Sequence, residues 1–95
     1  MEDAGRHIPN RLTKHRMIHG VRQKEVANWL GHMSATQLSQ WENGQAMPGL
    51  INLLRLCIIY STSPAELYYE VFKEQQEFIA MQKQSFYEEV GNVHS

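Results

Sequence analysis

The sequence is poor in several things, and each scarcity excludes a class of molecule. Cysteine occurs once, at Cys57, so no internal disulfide forms and no thiolate cluster can hold a metal. Cys57 lies in the run Leu53-Leu54-Arg55-Leu56-Cys57-Ile58-Ile59, where a buried structural thiol is expected. No apolar run approaches the length of a membrane span, and the first residues form no hydrophobic signal segment. A soluble, cytoplasmic protein without a membrane partner is therefore expected. No glycine-rich phosphate loop and no supported Ser-His-Asp arrangement is found, and 95 residues provide one modest core rather than an enclosed active site. The chain is not expected to be an enzyme. His15 and His19, four apart, would suit zinc on one helix face, but no thiol or carboxylate close in sequence completes four ligands. Neither a metal nor another cofactor is expected.

Strand patterning is also missing, since no segment alternates with period two for long enough. What is present reads as helices. Residues 1–9 form a loose arm closed by Pro9, after which Asn10 can cap a helix that Gly20 stops. A second helix is predicted from Gln23 to Leu30, with Val26, Ala27 and Leu30 inward, and Gly31 ends it. Ser34 caps a third, Ala35 to Asn43, with Leu38 and Trp41 inward, and Gly44 stops it. Pro48 opens a fourth, Gly49 to Tyr60, with Leu50, Leu53, Leu54 and Cys57 inward. Ser63-Pro64 opens a fifth with Leu67, Tyr68 and Val71 on one face. From Glu66 to Val90 there is neither Gly nor Pro, and Phe72, Ile79 and Phe86 recur every seven residues. That stripe predicts a long helix continuing the fifth, which either folds back onto its own core or pairs with a second chain.

Charge is scarce in sum and uneven in distribution. The net charge is −1. Residues 1–24 hold six basic side chains against Glu2 and Asp3, whereas residues 25–95 hold Arg55, Lys73 and Lys83 against eight acids. A basic first quarter is enough to meet a phosphate backbone.

Two short helices joined by a tight turn make a helix-turn-helix. The stretch Gly20-Val21-Arg22-Gln23-Lys24-Glu25-Val26-Ala27, then Leu30-Gly31, then Leu38-Ser39-Gln40-Trp41-Glu42-Asn43-Gly44 and Pro48, resembles the helix-turn-helix domain of the phage repressor and Cro (XRE-like) family. The likeness continues through Leu50 to Leu56 and Ser63-Pro64-Ala65-Glu66-Leu67 and covers about residues 10–70. The turn His32-Met33-Ser34 is one residue longer than the commonest family pattern, and Ser61-Thr62 stands where many members have a glycine. The resemblance implies an all-α, five-helix, lambda-repressor-like domain over residues 10–71; residues 72–95 are then a C-terminal helical extension, for which dimerisation is one of the two readings of its stripe.

It also implies roles. Gln23 would contact a phosphate at the start of the second helix, and Arg16 would pair with Glu42 to fix the third helix against the first. Base readers would be the outward residues Ser34, Ala35, Thr36, Gln37, Ser39 and Gln40. A glutamine can bond N6 and N7 of adenine, and alanine or threonine methyls suit the thymine methyl. No Lys or Arg stands among these positions, so phosphate contacts would come from Arg11, Lys14, Arg22 and Lys24, with Asn43 and Gln45. The expected function is transcriptional regulation, by repression at a palindromic operator of double-stranded DNA bound as a homodimer. An autorepressing antitoxin fits the same residues. So does a protein–protein adaptor that keeps the fold and uses its C-terminal helix for a protein partner.

Overall fold

A computed structural model of the protein describes residues 7–94, with side chains described to Gly91. Six helices follow in order: α1 Leu12–Ile18, α2 Gln23–Trp29, α3 Ala35–Glu42, α4 Leu50–Tyr60, α5 Pro64–Leu67 and α6 Tyr69–His94. There is no strand among the described residues. Local signals account for most of the boundaries. Gly20, Gly31 and Gly44 all take positive φ at helix ends, a conformation that costs glycine little. Ser34 and Ser63 accept from the backbone N–H groups of Gln37 and Glu66 and so cap α3 and α5. Ser61, at φ 51°, closes α4 in the left-handed region without a glycine.

The core is one cluster of Leu12, Val26, Leu30, Leu38, Trp41, Leu56, Cys57, Tyr60, Leu67 and Tyr68. Each helix from α1 to α5 contributes to it, so the domain buries one continuous apolar centre. On α4 the expected inward face needs correction. Leu56, Cys57 and Tyr60 are buried and Leu53 partly so, but Leu50 is 68% and Leu54 43% exposed. The helix is apolar nearly all round, so its periodicity singles out no face.

His7 and Ile8, at the end of the expected arm, are tied to the turn after α3. Ile8 N–H donates to the Gly44 carbonyl at 2.9 Å, and His7 Nδ1 contacts the Asn43 carbonyl oxygen at 2.7 Å. A Cβ on Gly44 would stand 2.7 Å from both Ile8 N and Ile8 O, so only glycine lets these strands of chain meet. Residues 1–6 lie outside the described residues.

The fifth helix does not run straight into the tail. It ends at Tyr68, whose φ of −120° and ψ of 52° leave the helical region. This break lets Leu67 and Tyr68, adjacent in sequence, both reach the core. Beyond it α6 does not fold back. Val71 packs on the core, and every residue from Phe72 to Glu89 is exposed. The projecting helix gives the molecule a long axis of 61 Å.

Candidate nucleic-acid interface

The geometry of α3 is set by one carboxylate. Glu42 ends α3, and its side chain is only 4% exposed. Arg16 of α1 donates from Nε to Oε2 at 2.7 Å and from a terminal nitrogen to Oε1 at 3.2 Å. Thr13 Oγ1 donates to the same carboxylate at 3.1 Å, and Gln23 Nε2 of α2 donates at 2.8 Å. Four hydrogen bonds from two other helices thus meet this group. They supply what a buried charge needs in order not to be strongly unfavourable. The Glu42 hydrogen bonds raise the pKa of Arg16 against the opposing effect of its burial. A further Arg16 nitrogen donates to the Val21 carbonyl, which ties the loop before α2 to the same hub.

A second long-range tie comes from Asn10. Its Nδ2 lies 3.0–3.2 Å from the carbonyl oxygens of Ile8, Trp41 and Glu42, and its Oδ1 accepts from Leu12 N–H at 3.0 Å. One amide therefore starts α1 and also satisfies carbonyls at the end of α3.

The turn between α2 and α3 carries two consecutive left-handed residues, Gly31 at φ 96° and His32 at φ 64°. Met33 N–H reaches back to the Ala27 carbonyl at 2.9 Å, and Asn28 Nδ2 donates to His32 Nδ1 at 3.0 Å. These bonds accommodate the longer turn without moving α3 away from α2. Ala27 is 2% exposed at the crossing.

With Leu38 and Trp41 turned into the core, the outward side of α3 presents Thr36 and Gln40, both exposed. Ala35, Gln37 and Ser39 are partly buried on its flanks, and Ser34 is exposed at the cap. Ser34 Oγ already accepts from Gln37 N–H, and Ser39 Oγ accepts from Asn43 Nδ2 at 3.4 Å. Asn43 and Gln45 are exposed just past α3.

The basic residues divide into two groups. Arg11 lies 3.3 Å from Glu66 and 3.4 Å from Glu70, with its guanidinium 4.3 Å from the centre of the Tyr69 ring. Lys14 lies 3.8 Å from Glu66, and His15 Nε2 is 3.0 Å from the same carboxylate. Of the cations expected to meet phosphates, Arg11 thus faces acids of α5 and α6, and Lys14, more than half exposed, faces the acid of α5. The bond from His15, followed by that from Arg11, holds the Glu66 carboxyl below its usual value. Arg22 and Lys24 enter no salt bridge among the described residues. Both stand exposed beside α2, whose first turn is closed by Glu25 accepting from Arg22 N–H. Gln23 is not wholly outward either, since its amide nitrogen is held by Glu42.

From the sequence Asn10 is read only as a cap of α1, and neither its bonds to the end of α3 nor Thr13 and Glu66 as ties of α1 are singled out. Thr13 stands three residues before Arg16, on the same helix face, and that spacing was the available signal. The partners of Asn10 and Glu66 lie more than 30 and 50 residues away, beyond any local pattern. Burial pushes the Tyr60 hydroxyl up to about 12 and raises the Cys57 thiol, so neither offers reactive chemistry at neutral pH. No group of three or more metal-ligating side chains occurs among the described residues. No described helix is long and apolar enough to cross a membrane.

Compared with known proteins, residues 13–67 match the family model described as helix-turn-helix, which spans more than half of the chain. No curated protein and no solved structure matches.

Proposed function

Because the chain belongs to the helix-turn-helix family of the phage-repressor, XRE-like type, and is a DNA-binding transcription regulator of that type, we propose that it represses transcription by occupying a palindromic operator as a homodimer inside the cell. The observation that carries this reading is the combination on α3. One side is locked by the Glu42 hub, and the other offers Thr36 and Gln40 to solvent with no charge of its own. In this reading α3 lies in the major groove. Gln40 and Gln37 bond adenine edges, while Thr36, Ala35, Ser34 and Ser39 provide methyl and hydroxyl contacts.

Phosphates are held by Arg22 and Lys24, with Gln23, Asn43 and Gln45 adding neutral contacts. Gln23 keeps its amide nitrogen on Glu42 and turns its amide oxygen and the free N–H groups of the α2 start to the backbone. With two cations per subunit, the log–log slope of affinity against salt is about −2 per half-site. So small an electrostatic contribution favours two subunits on one operator.

The experiment is selection from a random duplex pool, followed by binding of the Gln37→Ala/Gln40→Ala variant. A palindromic motif is expected. The variant should lose discrimination of roughly 1–3 kcal/mol for each lost base pairing while retaining non-specific, salt-sensitive binding. If specificity survives the double substitution, the reader assignment is wrong. If no duplex is bound even at low salt, the operator reading fails and the chain is an adaptor, a reading that the acidic, projecting α6 would then support.

A further inference from the structure

Helix α6 extends about 20 residues past its last core contact with large apolar side chains in solvent. Phe72, Ile79 and Phe86 are each about half exposed, and Tyr87 more so. At 100° per residue these four fall with Val90 within a sector of about 100° that also holds Gln76 and Lys83 and is bordered by Gln75, while the exposed Phe78 and Met81 lie on other faces. An isolated helix of this length gains little from propensity alone, and a stripe of this kind ordinarily lies against a partner. The stripe also continues into the domain. At its root Phe72 borders an apolar concavity of about 350 Å³ lined mainly by Met47, Leu53, Pro64, Tyr68 and Val71.

We propose that the occupant of this stripe is α6 of a second copy, paired antiparallel about a two-fold axis through Ile79. Three observations select this occupant and register. The first is symmetry. Phe72 and Phe86 stand seven residues to either side of Ile79, so one axis brings Ile79 onto Ile79 and Phe86 of each copy to Phe72 of the other, at the mouth of the root concavity.

The second is area. About half of an aromatic's burial of 150–250 Å² from each of Phe72, Phe86 and Tyr87, with smaller areas from Ile79 and Val90, gives roughly 400 Å² per copy. The pair then buries about 800 Å², and the root concavity must add about 200 Å² to reach the lower bound of a specific interface. The third is charge. Parallel pairing would set Lys83 beside its own copy, whereas the antiparallel register sets it level with Gln75 of the other chain.

The arrangement fixes a distance. The two Tyr69 residues, where the domains join the helices, lie about 30 Å apart along the axis at 1.5 Å per residue. This compares with the roughly 34 Å between half-sites one turn apart. Only that comparison rests on the DNA-binding reading; the pairing itself rests on the exposed face.

The test uses the full chain without DNA, so its outcome is independent of operator binding. Light scattering of the wild type is expected to give a dimer mass, and Ile79→Glu and Phe86→Glu are each expected to give a monomer. Both variants should keep the domain's own unfolding transition, since neither residue packs on the core, while the helical signal of α6 falls as it loses its partner. Nitroxide labels on Glu88→Cys, in a Cys57→Ala background, should lie about 27 Å apart along the axis in the dimer. A wild-type monomer overturns the proposal, and so does a dimer that survives Ile79→Glu. Labels found side by side overturn the antiparallel register. Loss of the dimer only in Leu54→Glu or Ile58→Glu would move the interface to the exposed side of α4 and also overturn it.

Discussion

Two carboxylates hold α1 from opposite sides, and they do so in different dielectric surroundings. Glu42 is 4% exposed and takes Arg16, Thr13 and Gln23. Glu66 is 33% exposed and takes Arg11, Lys14 and His15. Each gathers several donors, so the number of contacts does not distinguish them. Water does. A buried ion pair cannot be replaced by solvent when one partner is lost, whereas a surface cluster is rehydrated and screened by salt. The buried group therefore positions α3, and the exposed group trims the junction of α1 with α5 and α6.

The largest expected effect is at Glu42. Glu42→Ala leaves the Arg16 guanidinium largely buried without its anion and should cost about 3–5 kcal/mol in urea unfolding. A loss below about 1 kcal/mol would place Glu42 on the same footing as a surface pair and remove the contrast. The same comparison is sharpened by Arg16→Met with Glu42→Leu. Removing both charges should return most of that stability, while operator specificity stays impaired because α3 loses its fixed angle.

Gln23→Ala is expected to come next. It deletes one hydrogen bond to a charged acceptor, worth about 1.5 kcal/mol, and should weaken operator binding as well. Unchanged stability would show that the bond to Glu42 contributes little to the hub.

Glu66→Gln should give the smallest change, a slight fall in melting temperature that vanishes in about 1 M salt, where the Debye length is about 3 Å. An effect that persists in high salt would mean that Glu66 behaves as a buried group. The pH dependence has a definite sign. The folded-state pKa of Glu66 is lowered from 4.5, chiefly by the His15 bond, so the unfolded chain takes up the proton first. The contribution of Glu66 is thus fully present above the ordinary carboxylate value and is lost as pH falls through the lower, folded one. Urea midpoints of wild type and Glu66→Gln should converge over that acid range. Parallel curves would remove Glu66 from the account.

How much was legible in the chain depends on how local each signal is. The ends of α2 and α3 stand in the sequence as Gly31, Ser34 and Gly44, because caps and positive-φ turns act through neighbouring residues. The inward face of α4 does not, because Leu50, Leu53, Leu54, Leu56, Ile58 and Ile59 surround the helix and hydrophobicity cannot choose among them. The break at Tyr68 carries no Gly or Pro. It exists because Leu67 and Tyr68 are both drawn into the core.

The candidate site divides in the same way. The positions that α3 turns outward follow from helical period, once Leu38 and Trp41 are recognised as core. The separation of Arg11 and Lys14 from Arg22 and Lys24 does not, since the acids that engage the first two are about 50 residues away.

By itself the sequence determined an all-helical chain, the helix-turn-helix at its centre, an uncharged outward side on α3 and a long apolar-striped terminal helix. Composition, caps and periodicity are sufficient for these because each is a short-range property of the backbone. Tertiary structure alone decided that acids engage Arg11 and Lys14 but, among the described residues, not Arg22 and Lys24, that Thr13 and Gln23 join Arg16 on Glu42, which side of α4 is buried, and that α6 leaves the core rather than returning to it. Those outcomes depend on which distant groups come within hydrogen-bonding distance once the core has closed, and on whether the closed core has any apolar surface left to offer the last helix.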